Sequence, residues 1–191
     1  MKLSTLYFRI FCFLLGISSF AQEFSFEGVE DLSSKNKIEV QTNKGIIGFE
    51  FLTSEAIEVS FYKDSNEELP VSHAVEKKAT ELELSLLDSE NTVVFGNDVL
   101  QIEVIKEPFV IRYFENENLL LQQTTPFETD EVKMEFEIDE TEVLMGGGAR
   151  ALGMNRRGHK LELYNRADYG YETKSELMNF TLPIVLSSKG T

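Results

Sequence analysis

Residues 37–52, KIEVQTNKGIIGFEFL, decide how the chain is read. Ile38 and Val40 alternate with Lys37, Glu39 and Gln41. Thr42-Asn43-Lys44-Gly45 has the chemistry of a turn, and Ile47, Phe49 and Phe51 then resume the alternation. A strand points successive side chains to opposite faces, so this pattern predicts a hairpin with one apolar and one wet face. A helix would need its apolar residues three and four positions apart, and they do not fall there.

The period of two continues outward from this hairpin. Ile57, Val59 and Phe61 face one way with Glu58 and Ser60 the other, and Asp64-Ser65-Asn66 closes the strand. Leu82, Leu84 and Leu86 alternate with Glu81, Glu83 and Ser85. Runs at 93–95, 99–105 and 109–114 follow, with breaks at Gly96-Asn97-Asp98 and Glu107-Pro108. Glu115-Asn116-Glu117-Asn118 is a polar turn before 119–121. Met134, Phe136 and Ile138 alternate, 143–145 runs into a glycine cluster, Leu161, Leu163 and Tyr164 form a short strand, and Phe180, Leu182, Ile184 and Leu186 alternate again. The only helical candidate, 74–80, is short. About a dozen short strands without a three-turn amphipathic helix predict an all-β, antiparallel β-sandwich.

Composition bounds the function classes. Of 191 residues 42% are hydrophobic, with 15 Phe, which suits a globular core, and the formal net charge is −15. So acidic a surface repels phosphate backbones and anionic bilayers, so neither nucleic acid nor membrane is an expected partner. Lys2 and Arg9, an apolar run over 10–20 and Ser19-Phe20-Ala21 have the form of a cleaved secretory signal over 1–21. The run is shorter than the about 20 apolar residues that a membrane-crossing helix needs. Cleavage would remove the single cysteine, Cys12, and take the formal charge from −15 to −17. A cysteine-free exported chain points to a bacterial periplasmic or extracellular protein. Residues 22–36 read as a linker or edge strand, and 37–191 as a sandwich domain. That domain is expected to be incomplete at its C-terminus, because the last strand runs into Ser187-Ser188-Lys189-Gly190-Thr191 without a return strand.

The specific residues concentrate in 144–171, LMGGGARALGMNRRGHKLELYNRADYGY. Gly146, Gly147 and Gly148 remove every Cβ from a short span, which suits a bulge or tight crossing; no helix follows to make them a phosphate loop. Asn155-Arg156-Arg157-Gly158 sets two guanidiniums beside a turn glycine. Such a pair can grip an anion, but more commonly pairs with an acidic neighbour or docks an adjoining domain. Asn165, Asp168, Tyr169 and Tyr171 form a polar, aromatic loop. A carboxylate there can accept hydrogen bonds from adjacent sugar hydroxyls while a tyrosine ring covers the C–H side of a pyranose. The plainer reading is an Asx-capped loop with its tyrosines packed into the end of the sandwich. His73 and His159 are too few and too far apart for a zinc site, His159 reads as a surface or interdomain residue, and no G-x-S-x-G elbow is present.

The order of a glycine-rich turn, N-R-R-G, a strand ending in Tyr164-Asn165, and a loop with Tyr169-Gly170-Tyr171 resembles the N-terminal, galactose-mutarotase-like β-sandwich of family 31 glycoside hydrolases, the α-glucosidase and α-xylosidase group. The resemblance is clearest over 144–186 and extends as a strand pattern over 36–143. Gly146-Gly147-Gly148-Ala149-Arg150 stands where family members often have G-L-G-E-R. Ala167 stands where they often have the loop aspartate, with Asp168 one residue later. The resemblance implies an α-glycosidase, secreted if the signal is read correctly, that hydrolyses α-linked glucosides or related glycans with retention and without a cofactor. The catalytic carboxylates would lie in a barrel beyond these residues, so no catalytic residue and no metal ligand is assigned here. The sandwich would pack on that barrel and lend Asp168, Tyr169 and Tyr171 to the pocket for an α-linked oligosaccharide. Gly146, Gly147, Gly148, Asn155, Arg156, Arg157, Gly158 and Asn165 would be structural or interdomain. The competing expectations are a free-standing secreted sandwich that binds carbohydrate or protein without catalysis, and a purely structural domain.

Overall fold

The computed structural model describes residues 24–64, 81–125, 134–167, 169–175 and 180–190. The expected secretion signal over 1–21, the helical candidate over 74–80 and Asp168 lie outside the described residues.

Twelve strands and one short 3-10 turn make up the described secondary structure. β1 (Phe26–Leu32), β2 (Lys37–Thr42), β3 (Gly45–Phe51) and β4 (Ile57–Tyr62) form one antiparallel sheet in chain order. A second sheet, also in chain order, holds β5 (Ser85–Asp88), β6 (Thr92–Gly96), β7 (Leu100–Ile105), β8 (Val110–Glu115), β9 (Asn118–Thr125) and β10 (Glu135–Glu137). β11 (Leu144–Gly146) and β12 (Val185–Ser187) pair with each other.

The two larger sheets face each other across one core. Ile38, Val40, Ile47, Phe49 and Phe51 from the first sheet meet Val93, Phe95, Ile102, Val104 and Ile111 from the second. Phe49 and Phe95 mark the centre, edge to face with ring centroids 5.0 Å apart, the arrangement the ring quadrupoles favour. The expected hairpin is in place, with Ile38 opposite Phe49 and Val40 opposite Ile47. On the wet face of the second sheet Arg112 donates from Nε to Gln122 at 2.7 Å and from Nη1 to Glu103 at 3.2 Å. The outer face of the first sheet carries a polar cluster. Tyr62 donates its hydroxyl to Glu39, and the Lys37 ammonium lies 2.6 Å from the same carboxylate. Burial and that carboxylate push the Tyr62 phenol up to about 12.

The turns behave as their residues dictate. Asn116 and Glu117, both with positive φ, make the two-residue loop between β8 and β9, the backbone that suits a tight hairpin. Asn97 accepts from the backbone N–H of Val99 at 2.8 Å and of Leu100 at 2.9 Å. Its amide donates to the Ser54 carbonyl at 3.2 Å, tying the β6–β7 turn to the other sheet.

Three strand expectations need correction. Leu161, Leu163 and Tyr164 do not form a strand. No neighbouring strand pairs with them among the described residues, and the Glu162 carbonyl is taken by the Arg150 guanidinium at 2.6 Å. The alternation of Phe180, Leu182, Ile184 and Leu186 yields only the three residues of β12. Pro183 interrupts the run, lacks an N–H for the ladder, and delays the strand to Val185. Leu82 and Leu84 pack against the core ahead of the strand, which begins only at Ser85.

Candidate functional site

The glycine cluster joins the third sheet to the rest of the layer. Met145 pairs with Leu186 and Gly146 with Val185, after which the chain runs on alongside residues 180–184. The Gly147 N–H donates to the Ile184 carbonyl and the Ala149 N–H to the Phe180 carbonyl, both at 2.9 Å. Gly146 has φ +113, and a Cβ there would lie 2.2 Å from the Ile184 carbonyl oxygen. Gly148 has φ +82, and its Cβ would meet the Phe180 carbonyl oxygen at 2.6 Å. Both the backbone conformation and the closeness of approach require glycine at these two positions. Gly147 faces the Leu161 side chain, and Gly158 occupies the turn after the arginines.

Those arginines hold main chain. Arg156 donates from Nε to the Gly146 carbonyl at 3.0 Å and from Nη1 to Gly153 at 2.7 Å. Arg157 donates from Nη1 to the carbonyls of Asp139 and Glu142. The Asn155 side-chain oxygen accepts from the N–H of Leu144 at 3.3 Å and of Arg157 at 3.1 Å. The sequence reading gave this pair either an acidic neighbour or a docking role, as a structural or interdomain motif, and no carboxylate is among the partners of the hydrogen bonds above. Here the forked donors instead satisfy carbonyls that an irregular backbone leaves unpaired.

Two contributors were not singled out from sequence. Arg150 is only 9% exposed. It donates to the Gly147 carbonyl at 3.0 Å as well as to Glu162. Glu142, 7% exposed, accepts from the Ser187 hydroxyl and from the Asp139 N–H. The Ser187 hydrogen bond holds its carboxyl below the ordinary value despite its partial loss of water. Asp139 is pushed down to about 2 by the hydroxyl and N–H of Thr141, with Lys189 nearby. Nothing in the local pattern distinguishes Glu142 from the other acidic residues of the chain. Arg150 had one usable signal, its place two residues after the last glycine of the cluster.

The loop is anchored at its start. Asn165 accepts from both the N–H and the hydroxyl of Thr181, each at 2.7 Å. Beyond it Tyr169 is 94% exposed and Tyr171 56%, so neither ring is packed into the end of the sandwich. Tyr171 lines an open hollow of about 740 Å³ together with Leu152, Gly153, His159, Glu172 and Lys174. Lys174 closes it by donating its N–H to the Ala151 carbonyl at 2.8 Å. Tyr169 is not part of its lining. A ring face flanked by a carboxylate, an imidazole and an ammonium can engage a polyhydroxylated ligand through C–H contacts and hydrogen bonds. The sequence reading stopped at Tyr171; Glu172 and Lys174 continue that loop, whereas His159 comes from the turn after the arginines. Among the described residues no group of three or more His, Cys, Asp or Glu side chains is placed to hold a metal ion.

The family model described as the glycosyl hydrolase 31 N-terminal galactose mutarotase-like domain matches residues 46–191. The chain belongs to that family. Solved structures similar to this family 31 N-terminal domain include a dextranase of Flavobacterium johnsoniae complexed with glucose. It has 20% identity and a TM-score of 0.71 over 86% of this chain and 21% of the dextranase. A mutant of the same dextranase complexed with isomaltotriose has a TM-score of 0.70 at 20% identity, with the same coverage of 86% and 21%. The cycloalternan-forming enzyme of Listeria monocytogenes, in complex with a pentasaccharide substrate, has 18% identity and a TM-score of 0.66 over 86% of this chain and 16% of that enzyme. At these identities the likeness is one of fold. The chain thus spans about a fifth or less of the length of these structures. No curated protein is similar enough to the chain to count as a match.

Proposed function

We propose that this family 31 N-terminal domain belongs to a secreted α-glycosidase that hydrolyses α-linked glucosides or related glycans with retention. In this reading the domain packs on a catalytic barrel and contributes the loop after Asn165 to the sugar pocket. The observation that carries it is the loop itself, pinned at Asn165 by Thr181 yet presenting Tyr171 and a polar hollow to solvent. An anchored loop that leaves the Tyr171 ring exposed beside a polar hollow keeps that ring available to a ligand. The family match and the sugars bound to the similar solved enzymes support the same substrate class. Asp168, next to Tyr169, supplies the hydroxyl-binding carboxylate.

The test uses the complete protein secreted by its source cell, assayed with isomaltotriose and with other α-linked glucosides. The proposal expects a product several times longer than this chain, with hydrolytic activity that falls in the Asp168→Ala variant. An inactive product no longer than this chain would overturn it and leave a free-standing binding or structural module.

A further inference from the structure

Lys174 stands where the backbone calls for glycine or asparagine. The Ser175 N–H donates to the Glu172 carbonyl at 3.0 Å, closing a four-residue turn over 172–175. The Ser175 hydroxyl oxygen accepts from the Glu172 N–H, also at 3.0 Å. Lys174, the third residue of this turn, has φ +73, whereas Thr173 before it is not left-handed. A turn that is left-handed at its third residue alone favours Gly or Asn there, because other side chains are crowded in that region. The left-handed positions at 36 and 116 are filled by asparagine.

The lysine side chain gives the turn nothing in return. Lys174 ties the loop to the sandwich through its main chain, the N–H donating to the Ala151 carbonyl at 2.8 Å. Glycine or asparagine would supply the same N–H. The side chain is exposed, and its ammonium has no hydrogen-bond or ion-pair partner among the described residues. Backbone strain of this kind collects at ligand sites, where a particular side chain is kept against the preference of the main chain. Lys174 lines the open hollow together with Tyr171 and Glu172.

We propose that Lys174 is the specificity-determining group of this hollow and that, with Glu172, it reads two neighbouring hydroxyls of one sugar unit. An ammonium only donates and a carboxylate only accepts. A vicinal diol serves both at once, one hydroxyl accepting from Lys174 while the next donates to Glu172. The Tyr171 ring is then available to the C–H side of the same unit. The proposal rests on the glycosidase reading and adds which side chains choose the sugar.

The test compares Lys174→Gly, Lys174→Asn and Lys174→Arg in the complete protein, with isomaltotriose as substrate. Gly and Asn suit the turn, so both variants should melt no earlier than wild type. Both should nevertheless raise KM several-fold with little change in kcat, the mark of a lost binding contact. Arg keeps a cationic donor, and its KM should rise less. Glu172→Ala should raise KM as well, since the diol then loses its acceptor. An unchanged KM in Lys174→Gly would overturn the proposal. Earlier melting of both the Gly and Asn variants would also overturn it, by giving Lys174 a structural role. An active wild type whose Lys174 variants keep its KM refutes this assignment alone, whereas a wild type that hydrolyses no α-glucoside refutes the glycosidase reading with it.

Discussion

The side-chain oxygen of Asn165 accepts two hydrogen bonds from Thr181, one from its N–H and one from its hydroxyl, each at 2.7 Å. This single acceptor fixes where the exposed loop leaves the layer. Replacing Asn165 with Ala leaves both Thr181 donors without it, and Thr181 is itself buried. The expected loss is about 1–3 kcal/mol of stability, read as a lower urea midpoint. Asn165→Asp keeps an acceptor and should lose less.

Gly148→Ala should be destabilising by more than about 1 kcal/mol, because a non-glycine residue at positive φ is strained even before any clash. Here its Cβ would also sit 2.6 Å from the Phe180 carbonyl oxygen. Gly153→Ala is the control, since a Cβ there meets nothing within 4 Å. Thermal unfolding should separate the two variants, with only the first melting earlier.

Acid should loosen this layer selectively. The carboxyls of Glu142 and Asp139 both titrate below their ordinary values, Glu142 through its Ser187 hydrogen bond and Asp139, at about 2, through Thr141. A folded pKa below the unfolded one gives stability that is present above the unfolded value and is lost as pH falls through the folded value. The contribution of Asp139 is therefore complete above about pH 4 and disappears toward pH 2. Wild type and Glu142→Gln should differ in melting temperature at pH 6 and converge as the pH falls below the ordinary glutamate range and the Glu142 carboxyl takes up its proton. A difference that grows on acidification would contradict the assignment.

In the core, Phe49→Ala removes a fully enclosed ring from the contact with Phe95. A loss of about 3–5 kcal/mol is expected for truncating a buried phenylalanine, measured by urea unfolding.

Tyr171 tests the hollow. If the proposed glycosidase reading holds, Tyr171→Ala in the complete protein should lower kcat/KM on an α-linked oligosaccharide roughly threefold to tenfold, the equivalent of about 0.5–1.5 kcal/mol of aromatic contact. Melting temperature should be unchanged because the ring is largely exposed.

The sandwich was legible because its central strands each keep one dry face. Ile38, Val40, Ile47, Phe49 and Phe51 announce the first sheet, and Val93, Ile102, Val104 and Ile111 the second. Turn residues were equally informative, since Asn97 and Asn116 do locally what their side chains and backbone preferences allow. Legibility ended where side chains replace strand pairing. Leu161 and Leu163 alternate like a strand, but Arg150 reaches in to take a carbonyl of that stretch. Pro183 breaks the alternation that runs from Phe180 and Leu182 to Ile184 and Leu186 in the sequence. The carbonyl-binding work of Arg150, Arg156 and Arg157 depends on contacts that are set only once the glycine turn has formed. The hollow beside Tyr171 joins residues 151–153 and His159 to 172–174, a closure that no local period encodes.

The most direct test of the central claim is the anomer released when the complete secreted protein acts on an α-linked glucoside, followed by proton NMR in the first minutes of reaction. Retention predicts α-glucose first, with the β-anomer growing in only by mutarotation. Initial release of β-glucose, or no hydrolysis of any α-glucoside by the complete protein, would contradict it.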